Sequence, residues 1–179
     1  MRKVIARVLR LLLVVSLLGG AAAPVASTAP AQRQQAVAAL DAGVLDRLNA
    51  IRVAHGLTPL RLNASLSAAA AFHSRELAAA GYFSHDSADG TVFWKRIERW
   101  YAQPRSGSWT VGENLLWSSP AIDASHALSF WMSSPEHRAN ILDPSWREIG
   151  VAAVHVDRAG GVYHDRPVTI ITTDFGARS

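Results

Sequence analysis

Ile149-Gly150-Val151-Ala152-Ala153-Val154-His155-Val156, then Arg158-Ala159-Gly160-Gly161, then Val162 to Phe175 with Val168-Thr169-Ile170-Ile171-Thr172-Thr173 at its heart: the fold class turns on this stretch. Val, Ile and Thr dominate both arms, and branched side chains favour extended backbone. The glycine pair between the arms is a hairpin signal. Pro167 has no N–H to give a ladder, so it marks a bulge or break, or confines its strand to an edge.

Upstream the rhythm is helical. Val37, Leu40, Val44, Leu45, Leu48 and Ile51 recur at helical spacing over residues 36–55, and Gly56 closes that helix. Thr58-Pro59-Leu60 reads as an extended connector. A second helix starts near Asn63 or Ser65, carries Leu62, Leu66, Ala69, His73, Leu77 and Ala80 on one face, and stops at Gly81. Residues 92–101 and 122–132 also read as helices, and 111–117 as strand-like. Ser134-Pro135 predicts a cap with proline at the first helical position of a short helix to about Leu142. Helices first and a hairpin last imply an α+β domain, with helices packed on a small antiparallel sheet.

The N-terminus reads as an address. Arg2, Lys3, Arg7 and Arg10 precede the apolar run Leu11 to Leu18, and Pro24 ends the stretch too early for a membrane span. Ala29-Pro30-Ala31 offers a cleavage site, with Ser27 as an alternative, so residues 1–31 are expected to be a secretory signal peptide. Residues 32–43 form a leader and the start of the first helix, flexible through about Gln35, and the domain proper spans 44–176. Without the signal the chain carries no transmembrane span and is expected to be secreted, extracellular or in the cell envelope. The whole sequence carries 18 Lys+Arg against 14 Asp+Glu; four of those cations lie in the first ten residues, so the body is neutral. A neutral body argues against nucleic acid or an anionic membrane surface as partner. The absence of cysteine excludes disulfides, zinc–thiolate sites and a cysteine nucleophile.

Four places combine ionisable groups with apolar surroundings. His73 and Glu76, three apart on a helix, can reach a common metal, or His73 is a hydrogen-bonded core residue. His85 leaves the aromatic pair Tyr82-Phe83 for a polar turn, where Ser84, Asp86 and Ser87 can also cap. Glu113 sits between a glycine and an apolar run, where a carboxylate needs a partner or a cation. His137 falls in the first turn of its helix, where the dipole disfavours added positive charge and keeps the imidazole neutral. Two histidines, one carboxylate and water match a zinc-type site in kind. No G-x-S-x-G, H-E-x-x-H or P-loop pattern is present, and His126, His155 and His164 read as surface or edge residues.

These stretches together resemble the CAP superfamily of cysteine-rich secretory, antigen 5 and pathogenesis-related proteins, also called SCP domains, in its bacterial branch. Trp131-Met132-Ser133-Ser134-Pro135-Glu136-His137-Arg138-Ala139-Asn140-Ile141-Leu142-Asp143-Pro144, continued by Trp146-Arg147-Glu148-Ile149-Gly150-Val151, carries most of the likeness. Leu48-Asn49 with Arg52, Gly56-Leu57 with Pro59-Leu60, Ala71-Phe72-His73-Ser74, Gly81-Tyr82-Phe83-Ser84-His85, Gly112-Glu113-Asn114-Leu115 and Thr173-Asp174-Phe175-Gly176 follow the family's order. The resemblance implies a three-layer α-β-α sandwich whose cleft is lined by His85, His137 and Glu113, the set expected to bind a ligand or metal. Relatives carry a second cleft glutamate in the helix ahead of the last histidine. Here that helix has no acid at the aligned place, and the nearby Glu136 occupies a position often held by glycine.

The leading expectation is a secreted binding module that holds Zn²⁺, another divalent cation or a small ligand, with no assigned enzymatic activity. The alternatives are a metal-assisted or Glu-based hydrolase, a peptidase in which Glu113 is the base and His137 assists, and a lipid-binding carrier. Expected partners are a small molecule, a lipid or an extracellular or cell-envelope component.

Overall fold

The structure, a computed structural model, describes residues 29–179. The expected export signal therefore lies, apart from its last three residues, outside the described residues. The chain runs α1 (Ala29–Ala54), β1 (Arg61–Leu62), α2 (Ala64–Ala80), α3 (Phe93–Glu98), β2 (Trp109–Ser118), α4 (Ala124–Ser133), α5 (Pro135–Leu142), β3 (Glu148–Ala159), a 3₁₀ turn (Gly161–Tyr163) and β4 (Arg166–Arg178).

The four strands lie in the order β1-β3-β4-β2. β3, β4 and β2 are antiparallel, as expected; the two-residue β1 adds a parallel edge that makes the sheet mixed. β4 is central, so Pro167 does not mark an edge strand. The register of β3 against β4 slips between Val156 and Ala159, placing Pro167 opposite a bulge, where a missing N–H breaks no ladder bond. The turn is longer than a glycine pair: Gly161–Tyr163 is 3₁₀ rather than strand, and His164 and Asp165 both take positive φ to enter β4.

The flexible leader expected through Gln35 is instead helix. Ala and Gln are good helix formers, and Pro30 sits in the first turn, where its missing N–H costs nothing. Arg33 ties this end down through an ion pair with Asp157 (2.7 Å). Helix α2 has the predicted boundaries: Asn63 accepts from the N–H groups of Ser65 and Leu66, and Gly81 closes it at φ 69°. Helix α3 is shorter than expected, and Ile122 precedes α4, whose cap is Asp123. Ser134 and Pro135 open α5 as predicted, although the serine hydroxyl makes no cap bond.

Two layers of helix enclose the sheet. Alternate residues of β3 and β4 (Ile149, Val151, Ala153, Ile171, Phe175) join Val44 and Leu48 of α1, Leu128 and Trp131 of α4 and Ile141 of α5 in one apolar core. Each fully buried side chain of this kind contributes about 1.5–3 kcal/mol. Buried Arg52 stitches this layer together by donating to the carbonyls of Thr58, Ile141 and Asp143. Helix α2 covers the opposite face. Its first turn lies directly on β3 at Gly150, where a Cβ would stand 2.1 Å from the Leu66 carbonyl carbon.

Candidate functional site

The α2 face of the sheet is not uniformly apolar. Glu113 of β2 is directly opposite Asp174 of β4, which in turn is opposite Gly150 of β3, so both carboxyls project toward α2. Glu113 is 4 % exposed and Asp174 fully buried. Arg96, also fully buried, comes from α3; it donates to Glu113 Oε2 and, through Nη1, to the carbonyl of His85 (2.6 Å). The other Glu113 oxygen accepts from His85 Nδ1 (2.8 Å). The partner that Glu113 requires is thus an arginine with a histidine in front of it.

His73 is the hydrogen-bonded core residue of the two readings. Its Nε2 lies 2.9 Å from the Ser84 carbonyl and its Nδ1 3.1 Å from Glu76 Oε2, leaving neither nitrogen for a metal. Both neighbours are acceptors, so the ring is fully satisfied only as imidazolium. Burial works the other way and lowers its pKa; Glu113 opposes that and Arg96 reinforces it. The bond to Ser84 fixes the start of the turn that presents His85, and Ser84 and Asp86 also cap it, at Asp86 N–H and Phe93 N–H. The turn is capped and half-open at once: the His85 side chain is 49 % exposed, and its one side-chain hydrogen bond among the described residues is at Nδ1, so Nε2 is the nitrogen left for a ligand.

His137 lies in the first turn of α5, half-buried. Its pKa is lowered, as expected, but through burial first and the proximity of His85 second, while Glu136 acts in the opposite sense. Helix α5 is held against β2 by Asn140, which donates to the Glu113 carbonyl (3.1 Å) and to Asn114 Oδ1 (3.0 Å), and by Asn114, which donates to the His137 carbonyl. The cleft between these walls, about 290 Å³, is lined by His85, Phe93, Val111, Glu113, Asn140 and Trp146. Of the three residues expected to line the cleft, His85 and Glu113 do and His137 does not; the exposed Glu136 is absent from the lining as well.

Three residues of this cluster escaped the sequence reading: Arg96, Asn140 and Asp174. Asp174 carried a visible signal, a carboxylate within a run of buried Thr and Ile, the argument already applied to Glu113. As a carboxylate it has no donor among the described residues. Burial, then the charge of Glu113, push its pKa well up, and as an acid it can donate to Glu113. His126, read as a surface or edge residue, is exposed and pairs with exposed Asp123 (2.8 Å); His155, read the same way, is partly buried and lies 3.7 Å from exposed Asp157.

The expected trio divides. His85 and Glu113 touch and His137 stands near His85, but among the described residues no group of three His, Asp or Glu side chains is arranged to hold a metal. Glu113 has one oxygen on a buried guanidinium and the other on His85, so it fits as the carboxylate behind a histidine ligand rather than as a ligand. A second cavity, about 580 Å³ and lined by Ser118, Ile122, Asp123, His126 and Phe130, lies at the far end of β2, about 20 Å from Gly112. It is shallow and outside the buried cluster. No helix among the described residues is long and apolar enough to cross a membrane.

An α-β-α sandwich with an acid–histidine cleft at the open edge of its sheet defines the class. The chain belongs to the CAP family, described as the cysteine-rich secretory protein family, whose model matches residues 45–170. It is 30 % identical over 115 residues to the uncharacterized membrane protein YlbC of Bacillus subtilis, covering 64 % of this chain and 31 % of that protein. It is 30 % identical over 118 residues to the uncharacterized protein YkwD of the same organism, covering 66 % of this chain and 44 % of that one. The chain thus spans less than half the length of these curated relatives. Among solved structures it superposes on an extracellular protein containing an SCP domain from Bacillus anthracis, with a TM-score of 0.65 and 26 % identity over 83 % of this chain and 44 % of that one.

Proposed function

We propose that this chain is an exported CAP-domain binding module whose cleft holds a divalent cation such as Zn²⁺, or a small ligand, between His85 Nε2 and His137. The observation that carries the reading is the restraint on Glu113. With Arg96 on one oxygen and His85 on the other, it orients the imidazole, and each carboxylate oxygen is already engaged by a side chain of the protein. That supports binding over a hydrolase in which Glu113 is the general base. Export is supported by the charged and apolar N-terminal pattern and by the extracellular SCP-domain protein it resembles. When bound, the cation would polarise what shares its coordination shell, while Glu113 and Arg96 keep the His85 ring in place.

Calorimetric titration with Zn²⁺ at pH 7 tests the proposal. The wild type should bind more tightly than millimolar, His85→Ala and His137→Ala should abolish binding, and Glu113→Gln should weaken it about 10–100-fold. Equal affinity in the histidine variants, or no binding by the wild type, would contradict it. Cleavage of a peptide library that Glu113→Gln abolishes would restore the hydrolase reading.

A further inference from the structure

The cleft is built on a strand edge, and hydrogen-bond parity shows which backbone groups face it. On β3, the Ile149 carbonyl accepts from Asn63 N–H on the β1 side, and Ala153 N–H donates to Asp41. Odd-numbered residues of β3 therefore turn their backbone groups away from β4, because the two directions alternate along an antiparallel strand. The even-numbered ones bond β4, in the register Gly150 to Asp174 and Ala152 to Thr172. That leaves the odd residues of β4 for β2, where Phe175 pairs Gly112 and Thr173 pairs Asn114. Ser179 N–H donating to the Ser108 carbonyl continues the same parity. Val111, Glu113 and Leu115 thus direct N–H and C=O outward, along the open edge of the sheet.

Side chains close that edge unevenly. Asn140 donates to the Glu113 carbonyl and Trp131 Nε1 to the Leu115 carbonyl (3.0 Å). Val111 has no such cap among the described residues, and it lies in the cleft floor. Exposed strand edges are ordinarily covered or blunted. Here the cover stops where the cavity begins.

We propose that the cleft ligand is an extended peptide segment of another molecule, laid beside β2 as a short added strand. Val111 N–H and C=O and Glu113 N–H pair with its main chain. This rests on the reading of the cleft as a binding site and names the ligand's class. A donor and an acceptor at strand spacing are the complement of another backbone. Successive side chains of the segment would turn alternately toward His85 and Phe93 and toward Asn140 and Trp146, the two walls of the cleft. The cavity is at the small end of ligand pockets, so it takes a few residues. Its two walls stand on either side of the edge, admitting a single strand and excluding the edge of a second folded sheet.

The test titrates the full chain with a pool of N-acetylated, C-amidated pentapeptides, followed by amide NMR and hydrogen exchange. Exchange at Val111 and Glu113 should slow about tenfold or more at saturation. The same pool with alternate backbone nitrogens methylated should not bind. Val111→Pro removes one of the proposed donors at an edge position that donates nothing to β4. It should lose peptide binding about tenfold or more. Peptide binding that survives N-methylation, or no peptide binding by a wild type that binds Zn²⁺, would overturn the strand-pairing proposal alone. Loss of Zn²⁺ binding in the wild type would instead remove the cleft reading beneath it. Should Val111→Pro unfold, the methylated pool on the wild type still decides.

Discussion

The two faces of the central sheet differ in what they bury: both hold apolar clusters, but only the α2 face adds a set of buried charged and polar groups. Toward α1, α4 and α5, the strands present Ile149, Val151, Ile171 and Phe175 to a continuous apolar core. Toward α2, the same strands present Glu113, Thr172 and Asp174, and the helices answer with His73, Ser74 and Arg96, all buried. Burial stabilises the first face directly. The second must also offset the desolvation of its charges, through the bonds that join His73, Ser74, Arg96, Glu113 and Thr172, while Asp174 as a carboxylate has no donor among the described residues. A fold that needed only stability would make both faces alike; the polar one is where binding is expected.

The largest effect should come from breaking that partnership. Arg96→Met leaves Glu113 buried beside Asp174 without its cation and should cost about 3–5 kcal/mol in urea denaturation. Adding Glu113→Leu should recover most of the loss, since a buried ion pair is replaceable by apolar side chains, while abolishing Zn²⁺ binding. On the other face, Leu48→Ala should cost a comparable amount, about 2–5 kcal/mol, through its cavity, and leave Zn²⁺ binding intact. If the double variant still bound the ion, the division of labour between the faces would fail.

Next in size is the pH dependence set by Asp174. Its folded pKa is raised, so its contribution is fully present at acid pH and is lost as pH rises through the folded pKa. Asp174→Asn, close in shape to the protonated acid, should flatten that decline in stability measured across the pH range; an unchanged slope would show the proton to be elsewhere. The smallest effect sharpens the comparison from the apolar side. Asp41, reaching from α1 to Ala153 N–H, is raised from 3.8 to about 6 by burial. Stability should fall between about pH 4 and 6 as it ionises, by about 1 kcal/mol once its partial exposure is discounted, and Asp41→Asn should remove the step.

The sequence disclosed the two faces to different degrees. Helix α2 was legible to within about two residues because Asn63, Ser65 and Gly81 are local signals, and the hairpin because Val, Ile and Thr cluster. Helix α1 began earlier than read, since Ala, Pro and Gln suit a loop as well as a first helical turn. The parallel strand β1 was invisible, two residues having no periodicity. Within the site, Glu113 and His85 were legible as residues out of place. Arg96, on an exposed-looking helix, was not, because its role depends on the turn at Ser84 to Asp86 folding α3 back over β2. Family resemblance supplied the long-range step that brings His137 near His85.

The central claim is that His85, oriented by Glu113, offers Nε2 to a ligand shared with His137. A long-range ¹H–¹⁵N spectrum of the imidazoles at pH 7, recorded during Zn²⁺ titration, tests it most directly. His85 is expected to begin as the Nδ1–H tautomer, with its Nε2 and a ring nitrogen of His137 shifting together while His73 stays fixed. A His85 that begins as the Nε2–H tautomer, or zinc-induced shifts confined to other histidines, would contradict the account.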